Sequence, residues 1–330
     1  MAERVERVRV RAPARLHFGF LDLSGGFDRR FGSLGLAIEG IATELEIAFG
    51  TAPTTGPEVA RAAAHLSRLR TAWSVDEAVT IRIHEAIPAH AGLGSGTQLG
   101  LAIGAGLARL LGRGEPLEAI AELLDRGARS AIGLGAFLEG GFLVDGGRAA
   151  TDRLPPPLTV RLPFPEAWRI LLILDPARVG VHGASEAEAF AALPAPPEDL
   201  AGRLCRRLLL QLLPGLARVD FTPVAEALRE IQQAMGAHFA PFQGGGRFAS
   251  PTVAEVAAWL EARGLRGVGQ TSWGPTGWAL FPDAASAETA RRDAERQFAA
   301  LGLGFTIVAG RNRPAEIVSL APAADRETRP

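Results

Sequence analysis

The chain of 330 residues contains no lysine and no tyrosine, one asparagine (Asn312) and one cysteine (Cys205). Without lysine there is no Gly-Lys-Ser/Thr, so a Walker-type phosphate loop is excluded. Such a composition is what codon bias in a GC-rich genome produces, and with arginine as the only long cation, an arginine alone is weak evidence for phosphate binding. A lone cysteine makes no internal disulfide and no thiolate metal cluster, which fits a reducing compartment; a cytoplasmic location is expected. Neither sign of charge dominates, with 35 cations against 36 anions. No global field would hold a polyanion, and no nucleic-acid partner is expected. Long apolar runs are also missing. Ala91 to Ala108 carries no charge, but its glycines and the polar run Ser95-Gly-Thr-Gln98 mark a buried helix rather than a membrane span. Met1 to Pro13 alternates charge with valine, which reads as a first strand and not as a signal or anchor. A hydrophobic share of 47% with 22% charged residues excludes disordered and fibrous classes.

What is present is a change of period along the chain. Val8 and Val10, then Leu45, Ile47 and Phe49, then Val79, Ile81 and Ile83 alternate with polar residues, as half-buried antiparallel strands do. After Pro88 the apolar positions Leu99, Ala102, Ile103, Gly106, Leu107 and Leu110 fall at helical spacing, with Gly112 as a stop. A second helix is expected from about Leu117 to Ser130, and a short strand in Gly140 to Gly147. Prolines 155, 156, 157, 163 and 165 crowd one segment, which places a domain boundary near residue 165, giving units 1–165 and 166–330. Beyond it the pattern gives a strand at Ile170 to Leu174, helices near 184–192, 198–213, 222–236, 251–263 and 284–301, and strands at 305–309 and 315–320. The expected class is α+β, with helices on one face of an antiparallel sheet.

The sharpest local feature is Pro88-Ala-His-Ala-Gly-Leu-Gly-Ser-Gly-Thr-Gln98, a glycine-rich turn entering a helix. Backbone N–H groups at such a start lack intrahelical acceptors and sit at the positive end of the helix dipole, so the turn is an anion cradle. Glycines 92, 94 and 96 let phosphate oxygens approach, and Ser95 and Thr97 add hydroxyl donors. A tight turn with a Ser/Thr cap is the alternative.

This loop resembles the phosphate-binding motif of the GHMP kinase superfamily, which includes galactokinase, homoserine kinase and mevalonate kinase. Those kinases usually follow the motif with Ser-Ala where this chain has Gly96-Thr97. The lysine common in their first strand is also replaced in Ala12-Pro-Ala-Arg-Leu-His-Phe-Gly-Phe-Leu-Asp22, and no catalytic aspartate is evident in Ser130 to Phe137. The departures match one branch. Arg15-Leu-His-Phe-Gly-Phe-Leu-Asp22, Gly92-Leu-Gly-Ser-Gly-Thr-Gln98, Arg129-Ser-Ala-Ile-Gly133, Gly140 to Gly147, His182-Gly183 with Glu186, Gln243-Gly-Gly245 and Gly267 to Thr276 together resemble the β-ribofuranosylaminobenzene 5′-phosphate synthase family of methanopterin biosynthesis. The resemblance implies a two-domain fold with a ferredoxin-like C-terminal half. It also implies condensation of phosphoribosyl pyrophosphate with 4-aminobenzoate or an analogue, with loss of CO2 and pyrophosphate, aided by Mg2+, in a homodimer. An ATP-dependent kinase of the superfamily and an anion-binding sensor without turnover are the other readings.

Within that chemistry each candidate has a role and a plainer alternative. Arg15 and Arg129 can clamp phosphate bidentately, or pair with a carboxylate. His17, on the same strand face as Arg15, can meet substrate carboxylate or pyrophosphate, or satisfy backbone. Asp22 can hold magnesium through water, or shape the turn at Ser24-Gly25-Gly26. His182 and Glu186, at i and i+4, can form an acid/base or metal pair, or lie in a solvated loop. Leu93, Gln98, Gln243, Gly244, Gln270, Thr271 and Ser272 are candidate donor contacts, and Trp273 a stacking wall or ordinary core.

Overall fold

The computed structural model describes residues 5–180, 188, 190 and 192–320. The chain opens with two long antiparallel strands, β1 (Arg7–Asp22) and β2 (Arg29–Phe49). The charge–valine alternation is explained at once. Val8, Val10 and Ala12 are buried, while Arg9 and Arg11 on the other face meet Glu46 and Glu44 across the ladder at 2.6 Å each. β3 (Val79–Glu85) pairs with β2, and β4 (Phe142–Asp145), the two-residue β5 (Arg148–Ala149) and β6 (Leu158–Leu162) extend the sheet. Under its apolar face lie α1 (Val59–Trp73) and α2 (Ser95–Leu110), whose Leu66, Leu69, Leu99 and Ile103 join Val10, Ile47 and Ile81 in one core.

The helix expected over 117–130 is two. α3 (Leu117–Leu123) stops where Asp125 and Gly127 take left-handed backbone (φ 54° and 78°), and α4 (Ile132–Leu138) starts afresh. That break carries Arg126 and Arg129 out of a helix and into the loop beside the N-terminus of α2. The α1 helix was not read from the sequence either, although Ala62, His65, Leu66 and Leu69 form its buried stripe.

The second sheet holds β7 (Arg169–Leu174), β8 (Val268–Gln270), β9 (Gly277–Phe281) and β10 (Gly304–Val308) in the order β10-β7-β9-β8, all antiparallel. Renumbered within the unit this is 4-1-3-2, the ferredoxin-like order that the resemblance implied. Between β7 and β8 run α5 (Leu200–Arg207), a π turn (Leu208–Leu212), α6 (Leu213–Ala217), α7 (Phe221–Phe239) and α8 (Pro251–Ala262); α9 (Ala284–Gln297) joins β9 to β10. The expected helix over 184–192 lies largely outside the described residues. The final strand, β11 (Glu316–Leu320), returns to the first sheet and pairs with β1.

Two register shifts in β1, between Pro13 and Arg15 and between His17 and Gly19, bend the strand toward the second half. There Phe18 meets Trp278 edge-on at 4.8 Å, and a single core runs from Leu16 and Phe18 through Trp278 to Leu228 and Ile231 of α7. The bend therefore sets the two halves against each other around residues 15–20.

Candidate active site

The glycine-rich turn does form the start of α2. Gly94 is its N-cap, left-handed at φ 90° and with no side-chain cap, so the N–H groups of Ser95, Gly96 and Thr97 have no intrahelical acceptors. The turn is held from behind. Leu93 is fully buried, its carbonyl accepts from the Arg15 N–H at 3.1 Å, and the carbonyl of Gly92 accepts from Arg15 Nη1 at 2.5 Å and from Thr271 Oγ1 at 2.9 Å. Thr271, also fully buried, accepts in turn from the His17 N–H at 2.9 Å, and the Ser272 N–H donates to the His17 carbonyl at 3.1 Å. The first and second halves are thus stitched at the cradle itself.

Cations converge on this helix end. A Cβ at residue 96 would lie 2.6 Å from Arg61 Nη2 and 3.2 Å from Arg126 Nη1, and one at residue 94 would lie 3.2 Å from Arg15 Cγ. Arg61 is paired with Glu58 and Arg68 with Asp125, each at 2.6 Å, but the buried Nε of Arg126 has no hydrogen-bond partner. Burial, and then the neighbouring Arg61, lower the Arg126 pKa from its usual value. Positive groups are thus gathered at the positive end of a helix dipole, an arrangement that costs stability without an anion and gains it with one. Gly96 makes room for these guanidiniums, so its departure from the kinase pattern has a steric reason. Neither Arg61 nor Arg126 was a sequence candidate. The only available signal was the small residue at 96.

His17 is 3% exposed, and burial, then Arg15 and Arg129, push its pKa down to about 3. The Gly19 N–H donates to its Nδ1 at 3.3 Å, which leaves the ring proton on Nε2. Near neutral pH His17 is a hydrogen-bond donor and not an acid. His65 on α1, beside the arginine cluster, is lowered to about 4 by burial, Arg126, Arg61 and Arg68. The sign follows from linkage. A histidine at 6.5 in the unfolded chain and about 3 when folded takes up its proton on unfolding, so stability is full above pH 6.5 and falls toward pH 3. His17 alone accounts for about 2 kcal/mol lost by pH 5. Urea unfolding at pH 7 and pH 5 checks this: wild type loses more than His17→Gln by about that amount, and equal losses would count against it.

His17 also borders a small cavity of about 30 Å3 between β1, α7 and the Gln270–Trp273 segment. Its walls include Phe20, Phe190, Phe239 and Trp273, packed edge-on or tilted with the Phe239–Trp273 centroids 4.6 Å apart. Arg129 lies over the Phe190 ring at 4.7 Å. Ser272 holds a left-handed backbone (φ 55°), and Trp273, 4% exposed, has a buried indole N–H with no partner. An unsatisfied donor and a strained residue side by side in a cavity wall are features found at binding sites.

The structure brings together Arg15, His17, Arg129, the 92–96 turn, Thr271, Ser272 and Trp273. Other candidates are placed differently. Thr97 packs against Gly133, where an added Cβ would come 2.9 Å from its methyl carbon, and the fully buried Gln98 donates to the Gly133 carbonyl at 2.7 Å, so both tie α2 to α4. Asp22 accepts from the Ser24 N–H at 2.7 Å in the turn after β1, about 15 Å along the strand from His17. Gln270 bonds to Gln243 at 2.5 Å and accepts from the Ala249 N–H at 2.8 Å, holding the loop that contains Gly244. His182 and Glu186 lie outside the described residues. No cluster of three or more His, Cys, Asp or Glu suited to a metal ion occurs among the described residues, and no described helix is long and apolar enough to cross a membrane.

The fold and the cradle define a GHMP-kinase-type protein. Residues 58–141 match the GHMP kinases N terminal domain and residues 212–300 the GHMP kinases C terminal domain. A solved homoserine kinase from Cytophaga hutchinsonii superposes on 96% of this chain and 99% of its own, with a TM-score of 0.66 at 18% identity. The beta-ribofuranosylphenol 5'-phosphate synthase of Archaeoglobus fulgidus is 31% identical over 68% of this chain and 75% of its own length. That of Methanothermobacter thermautotrophicus is 28% identical over 94% and 98%. The chain belongs to the beta-ribofuranosylphenol 5'-phosphate synthase family. It is the family the ordered segments resemble, with a phenol in the relatives' names where the sequence reading has an aminobenzene.

Proposed function

We propose that this enzyme joins C1 of phosphoribosyl pyrophosphate to the ring carbon that carries the carboxylate of an aryl acid, releasing pyrophosphate and CO2. The relatives' name makes 4-hydroxybenzoate the first acceptor to consider and 4-aminobenzoate the second. The observation that carries the reading is the convergence of Arg15, Arg61 and Arg126 on the uncapped start of α2, beside an aromatic cavity. A donor with separated phosphate groups matches this cationic end.

In the reaction the C1–oxygen bond breaks and its electron pair leaves with pyrophosphate, while the ring carbon bonds to C1. The ring–carboxylate bond then breaks, its pair returns to the ring, and CO2 departs. Negative charge grows on the leaving group as that first bond breaks, so N–H donors and guanidiniums at the cradle stabilise the transition state more than the ground state. Arg15 fixes the Gly92 carbonyl and hence the turn; His17 offers Nε2–H. The aromatic cavity keeps water from the carboxylate, and loss of CO2 disperses charge that would otherwise be solvated. No covalent enzyme intermediate is required.

Around the cradle stand cations, hydroxyls, backbone N–H groups and the carboxylates Glu58 and Asp125, paired with Arg61 and Arg68; no group of three or more His, Cys, Asp or Glu suited to a metal ion occurs among the described residues. Magnesium, arriving with the donor, would offset negative charge on the pyrophosphate as it leaves. Purified protein mixed with magnesium, phosphoribosyl pyrophosphate and 4-hydroxybenzoate is expected to release pyrophosphate only when both substrates are present. ADP formation from ATP with candidate alcohols, and no pyrophosphate, would instead favour the kinase reading.

A further inference from the structure

The aromatic cavity is lined by His17 and Ser272, which lead back through Thr271 to the cradle, and by one arginine of the second half. Arg247, from the loop between α7 and α8, lines the cavity, and three contacts fix it there. Its stem crosses Gly236 of α7, where a Cβ would come 2.2 Å from Arg247 Cγ, so only glycine admits it. Its guanidinium lies over the Phe248 ring at 4.8 Å, and Nη2 donates to Glu261 of α8 at 2.7 Å. A guanidinium has five N–H donors in a planar fork, and this bond uses one. Gln243 and Gln270 hold the loop in place. Gln243 Nε2 donates to the Arg247 carbonyl at 3.2 Å, and Gln270 bonds both Gln243 and the Ala249 N–H. With these contacts made, the two glutamines act as positioning residues for Arg247.

We propose that Arg247 determines acceptor specificity by receiving the para oxygen of a hydroxybenzoate as its phenolate. The inference rests on the transfer reading above and names the group that would prepare its nucleophile. The phenol proton passes to solvent, and the oxygen pair conjugates through the ring to the carbon opposite, which attacks C1. When CO2 leaves, aromaticity returns and the phenolate regains a proton from solvent. An adjacent fixed cation favours the charged form of a phenol, commonly by about 1–3 pKa units. An arylamine attacks through its neutral nitrogen pair without losing a proton first, and gains little from Arg247. The other charged or titratable groups around the cavity are Glu261, which offsets part of the Arg247 charge from α8, neutral His17 on β1 with Arg15 beside it, Arg129 over the Phe190 ring, and His238 next to Phe239 on α7.

The test uses 4-nitrophenol as a bound probe, titrated by its phenolate absorbance in wild type, Arg247→Met and Glu261→Gln. On wild type the probe is expected to ionise at least about one pH unit below its free value. On Arg247→Met that shift disappears, and on Glu261→Gln it is retained or enlarged. In turnover, Arg247→Met is expected to lose at least about tenfold more kcat/KM with 4-hydroxybenzoate than with 4-aminobenzoate, at unchanged KM for phosphoribosyl pyrophosphate. Equal ionisation on wild type and Arg247→Met, failure of the probe to bind wild type, or equal losses with both acceptors would overturn the proposal. No pyrophosphate release alongside a persisting phenolate shift would overturn the transfer reading and leave the assignment of Arg247 standing.

Discussion

Arg126→Met is expected to melt at or above the wild-type temperature while losing about 30- to 150-fold in kcat/KM for phosphoribosyl pyrophosphate. The two effects have one cause. Arg126 is part of a cation cluster with Arg61 and Arg68, its Nε is buried without a partner, and burial and Arg61 both disfavour its charge. Methionine removes the repulsion and the unsatisfied donor while filling much of the same volume, so the fold gains or breaks even. A charge-assisted bond to phosphate is worth about 2–3 kcal/mol, which sets the range of the kinetic loss. Thermal melting beside steady-state kinetics with varied donor checks both halves. A destabilised variant with normal donor kinetics would assign Arg126 to structure.

Gly92→Ala is expected to abolish measurable turnover and to cost about 3–5 kcal/mol of stability. Its Cβ would sit 2.4 Å from the Thr271 carbonyl oxygen and 2.8 Å from Gly274 Cα, at φ +80°. Backbone meets backbone there, and neither side can swing away without opening the seam that joins the halves. Gly94→Ala is the control. Its nearest neighbour, at 3.2 Å, is the flexible Arg15 side chain, so left-handed strain of about 1–2 kcal/mol is the main structural cost. That variant is expected to fold, with the displaced Arg15 raising the KM for donor. Denaturant unfolding and donor saturation of the two proteins separate the cases; a fully active Gly92→Ala enzyme would contradict the seam.

How much of this could be read from the chain alone follows from the range of each interaction. Strand and turn signals are local, so the alternation in β1 to β3 and the glycine turn at 92–96 were legible, as was the ferredoxin-like half through its family resemblance. The cradle's arginines were not. Arg61 and Arg126 meet at Gly96 only because α1 packs on α2 and the chain breaks at Asp125 and Gly127, and in a protein without lysine every arginine looks alike. Gln98 and Asp22 show the reverse case. Both have residue types suited to chemistry, and both are engaged in holding local structure. The aromatic cavity escaped notice because Phe20, Phe190, Phe239 and Trp273 come from four separate segments. Trp273, weighed as a wall or as core, is nearly fully buried and also lines the cavity.

In the proposed reaction one site breaks the bond to pyrophosphate and the bond to CO2 in a single turnover. Carboxyl-labelled 4-hydroxybenzoate, unlabelled phosphoribosyl pyrophosphate and magnesium, with labelled CO2 and pyrophosphate counted together, test it most directly. The account predicts equal amounts of the two products at every time point, and the loss of both when either substrate is left out. Pyrophosphate released without labelled CO2 would mean that the acceptor bonds through its oxygen or that water takes its place, and would contradict the account.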